Sequence, residues 1–306
     1  MTDTDERMIR EIARLCSLPE SRVERTVTLL QGGATIPFIT RYRKEATGGL
    51  DEVQVGAVRD QLERLNALEA RKRTVRSAIE AAGKMTGALS AQLDDCWDGD
   101  KLEDLYLPYK PKRRTRATVA RERGLEPLAN SIMAQNSHDI ARQAQRFVTA
   151  DVPTPEEAIA GACDIIAERV SEDERARNSV RRTAAREGAV HSRLVKGKEQ
   201  EGVKYSDYFD ATSPLRTVSS HRFLAMRRGM DEGVLKISVE MDADRITEGL
   251  CRQFVRHGSA TREWMEAAVA DSFKRLIRPS IETELLAAAK EKADDEAIRV
   301  FAENLR

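Results

Sequence analysis

The chain has 306 residues, with 51 basic and 51 acidic side chains, 41% hydrophobic residues and 5% aromatics. That length exceeds a typical single domain, so two or more units are expected. Zero net charge argues against a surface coated in polyanion and leaves local charged patches open. High charge with abundant Ala, Leu, Glu and Arg, and only 17 Gly and 9 Pro, predicts a helix-rich fold.

No run approaches 18 apolar residues, and the opening MTDTDERMIR has no apolar signal core. Neither secretion nor membrane spanning is therefore expected. Cys16, Cys96, Cys163 and Cys251 are widely spaced with no CxxC, which suits reduced thiols. The expected compartment is the cytoplasm.

In chain order, Met8, Ile9, Ile12 and Leu15 share one helical face, and Pro19 ends that pattern. Ser21 is placed to cap a second helix carrying Val23, Val27 and Leu30, closed by Gly32-Gly33. A third helix begins at Ile36-Pro37 and is expected to run to about Ala46, carrying Arg41, Arg43 and Lys44. Two short helices and a basic third resemble a helix-turn-helix. The plainer alternative is a three-helix packing unit with ordinary surface arginines.

Asp51 caps the longest pattern: Val55, Val58, Leu62, Leu65, Leu68, Val75 and Ile79 recur by three and four until Gly83. A helix of about 30 residues would span about 45 Å. It reads as an intramolecular strut, because Arg71-Lys72-Arg73 interrupts a strict heptad seam. Thr86 caps a helix carrying Leu89, Leu93 and Trp97, with Trp97 read as a core anchor.

Residues 102–127, LEDLYLPYKPKRRTRATVARERGLEP, form a basic elbow. From Lys110 to Arg123 there are seven positive charges (Lys110, Lys112, Arg113, Arg114, Arg116, Arg121, Arg123) and one negative, Glu122. Arg and Lys bind phosphate oxygens, and each phosphate neutralised releases counterions. Pro108 and Pro111 are expected to hold the segment extended, with Tyr106 and Tyr109 free to stack on bases. Equally, LYLPY can dock in a core and the arginines can pair with Asp98, Asp100, Glu103 and Asp104. Thr115 can cap a short helix closing at Gly124.

Further helices follow over 126–134 and 137–148. Thr154-Pro155-Glu156-Glu157 is a strong helix start, and Ser171 is placed to cap an Arg-rich helix ending at Gly188. A change in composition at Gly188 sets a subdomain boundary there, dividing 1–188 from 189–306. Ser219 or Ser220 caps a helix ending at Gly229. Leu235, Ile237, Val239 and Met241 alternate with polar residues as one small β element near 234–241. Three helices, at about 243–257, 260–277 and 280–304, close the chain, with Pro279 separating the last two. The fold class is mainly α: a multi-helix N-terminal scaffold, a helix-turn-helix-like element, a long strut and one small β element.

No GxxxxGK[ST] loop, GxGxxG after a strand, HExxH or GxSxG is present. His138, His191, His221 and His257 are single and distant, with no Cys or His at metal-ligand spacing. No catalytic residue, metal or cofactor is expected.

Two long stretches resemble the N-terminal signatures of the Tex family of bacterial transcription accessory proteins: IPFITRYRKEATGGLDEVQ (36–54) and LEDLYLPYKPKRRTRATVARERGLEPLA (102–129). The likeness continues through GACDIIAERVSED (161–173), VKGKEQEGVKYSDYFD (195–210) and SHRFLAMRRGMDEGVLKISV (220–239). The resemblance implies a longer multidomain protein. Its helical N-terminal region would be followed by RNase H-like, helix-hairpin-helix and OB-fold RNA-binding domains, which the resemblance leads us to expect beyond residue 306.

The function expected from residues and resemblance together is non-enzymatic: a nucleic-acid-associated scaffold that binds DNA or RNA without strict sequence preference. Its candidate phosphate contacts are Arg41, Arg43, Lys44, Lys110, Lys112, Arg113, Arg114, Arg116, Arg121 and Arg123. The alternative is a protein-interaction scaffold docking on RNA polymerase, the ribosome or its own further domains.

Overall fold

The computed structural model describes residues 3–111, 114–137 and 139–304. Among these the chain forms fifteen α-helices and one three-stranded sheet, the mainly α class expected. It divides into two compact units, Met1–Pro111 and Lys112–Arg306. The expected boundary at 188/189 lies inside the second.

In the first unit, α1 (Asp3–Cys16), α2 (Glu20–Gln31) and α3 (Ile36–Tyr42) precede the strut, α4 (Glu52–Ala81). Asp51 and Gln54 form a reciprocal capping box at its start: Gln54 N–H donates to Asp51 Oδ1 at 2.8 Å, and Asp51 N–H to Gln54 Oε1 at 3.1 Å. The N-terminal half of α4 packs Val58, Leu62 and Leu65 against Met8, Ile9 and Ile12 of α1 and Val23 and Val27 of α2. Its C-terminal half packs Val75 and Ile79 against α5 (Gly87–Asp94) and α6 (Gly99–Tyr106), through Leu89, Leu93, Leu102 and Leu105. Each such side chain contributes about 1.5–3 kcal/mol on burial.

Lys72 lies between these two cores. Seven residues from both Leu65 and Ile79, it occupies the seam and is only 5% exposed. Its Nζ sits 4.0 Å from the centre of the Trp97 ring and donates to Glu69 Oε1 at 2.7 Å. The basic triplet therefore does not interrupt the packing face, because its middle charge is neutralised in place.

Three local expectations for this unit are corrected. α3 stops at Tyr42 rather than Ala46. The chain then turns, since Thr47 is buried with its hydroxyl on the Lys44 carbonyl at 3.2 Å, and Gly48 and Gly49 adopt positive φ. Trp97 follows α5 rather than riding on it. The segment at Pro108 is turned rather than extended: Asp98 caps α6 by accepting from Lys101 N–H at 2.9 Å, and a 3-10 turn, Leu107–Tyr109, follows the helix.

The second unit opens with α7 (Arg116–Glu122), α8 (Glu126–Ala134) and α9 (Ile140–Gln145), all packed on α10 (Pro155–Ser171). The core of α10 is Ala158, Ala162, Ile165, Ile166 and Val170. Next, α11 (Glu174–Glu187) is capped by Asp173, which accepts from Ala176 N–H at 2.9 Å. Ser171, expected in that role, ends α10 with its hydroxyl on the Glu168 carbonyl.

The sheet has order β2-β1-β3 and is antiparallel throughout, from β1 (Ala189–Leu194), β2 (Asp210–Pro214) and β3 (Leu235–Glu240). Only β3 was legible in sequence. The inward positions of the other two are partly Ser192 and Ser213, which break the apolar alternation. Between β2 and β3, α12 (Ser220–Asp231) runs through Gly229, where a Cβ would lie 2.6 Å from Leu235 Cδ1.

After α13 (Ala243–Phe254), α14 (Arg262–Asp271) passes through a π-helical turn, Ser272–Ile277, into α15 (Arg278–Asn304). Pro279 thus does not separate two helices. The wider turn before it relieves the ring's clash with the preceding carbonyls.

Candidate nucleic-acid interface

The ten cations expected to bind phosphate fall into two groups along the chain. The first is the segment at the end of α3. Ile39 is fully buried and fixes the helix rotation, so Phe38 and Tyr42, four residues apart, share the outward face. Arg41 lies on the last turn, Arg43 caps the helix, and Lys44 begins the turn held by Thr47. All three cations are exposed, and among the described residues none is ion-paired.

Two neighbours of this group escaped the sequence reading. Arg22 of α2 lies across the Gly48 turn, so closely that a Cβ on Gly48 would be 2.9 Å from its Nε. A side chain at Gly48 would be strained by φ +68 and would displace the Arg22 side chain. The other neighbour is the aromatic pair itself: the Phe38 and Tyr42 ring centroids are 5.6 Å apart and tilted by 43°, with Arg43 Cζ 5.9 Å from the Phe38 centroid. The spacing Phe38–Tyr42 around Ile39 was the available signal.

The second group is the elbow, whose residues belong to both units. Lys110 is exposed at the end of the first. Tyr106 is buried and Tyr109 packs on the same cluster as Leu102 and Leu105, so neither offers a free face for a base. Arg71 covers Tyr106, its Cζ 5.5 Å from the ring centroid, and binds Glu103 at 2.6 and 3.0 Å. The LEDLYLPY half is therefore a packing element. Lys112, Arg113 and His138 lie outside the described residues.

In the second unit the remaining elbow cations are partly occupied. Arg121 Nη1 donates to buried Glu168 at 2.6 Å, and the Thr115 hydroxyl reaches the other Glu168 oxygen at 3.1 Å. Arg114 pairs with Glu122 at 2.9 Å on the surface. Arg114, Arg116 and Arg123 line a cleft of about 620 Å³ between α7 and α10, which Glu157 and Asp164 also line. Burial raises the Asp164 carboxyl above its ordinary pKa, against the opposing pull of Arg275 and Arg116. Arg123 is exposed. A cleft with acids on its wall is a poorer polyanion seat than the open α3 patch.

His191 is a structural tie, with Nε2 2.8 Å from Asp210 and Nδ1 2.9 Å from Glu240 on the flanking strands. Among the described residues no group of three or more His, Cys, Asp or Glu side chains is placed to hold a metal ion. No helix among them is long and apolar enough to cross a membrane.

A mainly helical scaffold with two local cation groups defines the class of molecule. Comparison with known proteins then gives the family. Residues 6–80 match the Tex-like protein N-terminal domain, and residues 135–301 match the Tex central region. The chain is 40% identical to the transcriptional accessory protein Tex of Neisseria gonorrhoeae, over 97% of this chain and 40% of that one. It is 38% identical to the protein tex of Bordetella pertussis, over 98% of this chain and 40% of that one. It is 27% identical to human S1 RNA-binding domain-containing protein 1, over 92% of this chain and 30% of that one. The chain belongs to the Tex family. It spans about two-fifths of the length of its bacterial relatives.

Proposed function

We propose that this chain is a non-catalytic, nucleic-acid-associating module of a Tex-like transcription accessory protein. It holds phosphates through Arg41, Arg43 and Lys44, in a setting like a helix-turn-helix. Lys110, Arg116 and Arg123 are weaker auxiliary contacts, Arg114 is available once released from Glu122, and Arg121 serves the fold. One observation carries the reading: three adjacent exposed cations that no carboxylate neutralises. Such a cluster binds a polyanion with salt-dependent affinity and little sequence preference. The names of the relatives, a transcriptional accessory protein and an S1 RNA-binding domain-containing protein, agree with that ligand class. In a cell the module would work in the cytoplasm.

A fluorescence anisotropy titration of labelled RNA and DNA at two salt concentrations tests it. Measurable affinity that falls with salt is expected, and no binding even at low salt overturns it. The alternative, a protein-docking scaffold for RNA polymerase, the ribosome or further domains, has one observation in its favour. Ile298 and Phe301, three apart on α15, are 68% and 66% exposed.

A further inference from the structure

We propose that Phe38 and Tyr42 form a stacking platform for the unpaired bases of a single strand. The proposal rests on the phosphate-binding reading of residues 41–44 and specifies the ligand of that same surface.

Tyr42 is 72% exposed and Phe38 is 42% exposed, on a helix anchored by the fully buried Ile39. Two adjacent aromatic rings facing water beside three unpaired cations carry two complementary recognition elements. Phosphate oxygens suit the cations, and flat π-faces suit the rings. The 43° tilt gives each ring its own face to offer. The Arg43 guanidinium near the Phe38 ring adds a planar cation to the same surface.

The geometry also selects the form of nucleic acid. A groove-reading helix enters the duplex with its N-terminal residues. Here that end is Ile36-Pro37, with Ile36 packed against the Ile39 cluster, and the cations sit at the opposite end. The helix has seven residues, about 10 Å of axis. In a duplex the base faces are hidden in the stack, so only an unpaired strand presents them. Thr47, Gly48 and Gly49 fix the turn from which Arg43 and Lys44 project, and Arg22 closes its far side.

The test is anisotropy on the whole chain with three labelled probes of equal length: oligothymidylate, an abasic strand with the same phosphates, and a blunt duplex. The wild type is expected to bind oligothymidylate roughly tenfold or more tighter than the abasic strand. Phe38→Leu/Tyr42→Leu should abolish that difference while leaving abasic and duplex binding unchanged. Tyr42→Leu alone, at a position so exposed that folding does not depend on it, should remove part of it.

Undiminished oligothymidylate binding by both variants overturns the platform. If Arg41→Gln/Arg43→Gln/Lys44→Gln still weakens all three probes, the phosphate reading stands and only the stacking falls. If that triple variant also binds as the wild type does, both fall.

Discussion

Glu168 shows what a single buried carboxylate does to its neighbours. With its side chain 8% exposed, it accepts from Arg121 and from the Thr115 hydroxyl that caps α7, and so ties the elbow helix to α10. Removing Arg121 takes a 2.6 Å partner from a buried carboxylate, and removing Glu168 leaves Arg121 the longer 4.0 Å contact to Glu126. Glu168→Ala and Arg121→Ala are each expected to lower stability by about 2–3 kcal/mol, read as a shift in denaturant midpoint, because Arg121 keeps some solvent. Arg121→Ala should leave the salt dependence of nucleic-acid binding unchanged, a combination that separates a fold arginine from a phosphate arginine. Cys163 gives the pH counterpart. Burial, reinforced by Asp164 and Asp271, pushes its thiol from 9.0 up to about 12. The folded state thus holds the proton that the unfolded chain releases above about pH 9, so stability is full below that pH and falls as pH rises toward 12. Cys163→Ala removes this term. The difference in unfolding free energy between wild type and variant should narrow by roughly 1–2 kcal/mol between pH 8 and pH 10.5. A difference that stays constant would contradict the assignment.

At the level of elements, α4 was legible almost to the residue, from Asp51 to the turn at Gly83, because cap, periodicity and terminator agreed. The failures lie where a polar side chain occupies a packing position or where tertiary contact overrides a local signal. Lys72 looked like a break in the seam and instead fills it under Trp97. Ser192 looked unlike a strand interior, yet it is buried with its hydroxyl on the Tyr208 carbonyl at 2.8 Å. Pro108 and Pro111 suggested an extended segment, but the Asp98 cap and inward Leu102 and Leu105 made a helix just before them. Arg177 and Arg181 lie on α11, the Arg-rich helix, and nothing in the local sequence marks them as buried. They bind Glu284 of α15 at 2.5 and 2.8 Å, a pairing a hundred residues away that no local pattern reveals. The Lys72 arrangement makes a direct prediction. Lys72→Ala should lower stability by about 2 kcal/mol or more, through lost packing and the Trp97 contact. Lys72→Met, which keeps the apolar stem, should recover most of that loss in thermal or denaturant unfolding.

For the whole molecule, zero net charge concealed the feature that matters, because ion pairing consumes cations unevenly. The candidate residues were named from sequence as one class, and their environments divide them. Arg121 serves the fold, Arg114 is paired on the surface, Arg116 faces a cleft with acids, and Arg41, Arg43 and Lys44 stand open. Sequence supplied the positions of the charges; it contained no account of which carboxylates would reach them. The Phe38–Tyr42 pair was overlooked because an aromatic next to Ile39 reads as core until the helix rotation is known. The chain spans about two-fifths of its bacterial relatives' length, and its α3 patch lies within the residues that match the Tex-like N-terminal domain. The most direct measurement is the slope of log affinity against log salt for a labelled single strand, in the wild type and in Arg41→Gln/Arg43→Gln/Lys44→Gln. Three lost contacts at roughly 0.7 each on a single strand predict a slope shallower by about two, with weaker binding at every salt concentration. An unchanged slope and affinity in a correctly folded triple variant would contradict the account.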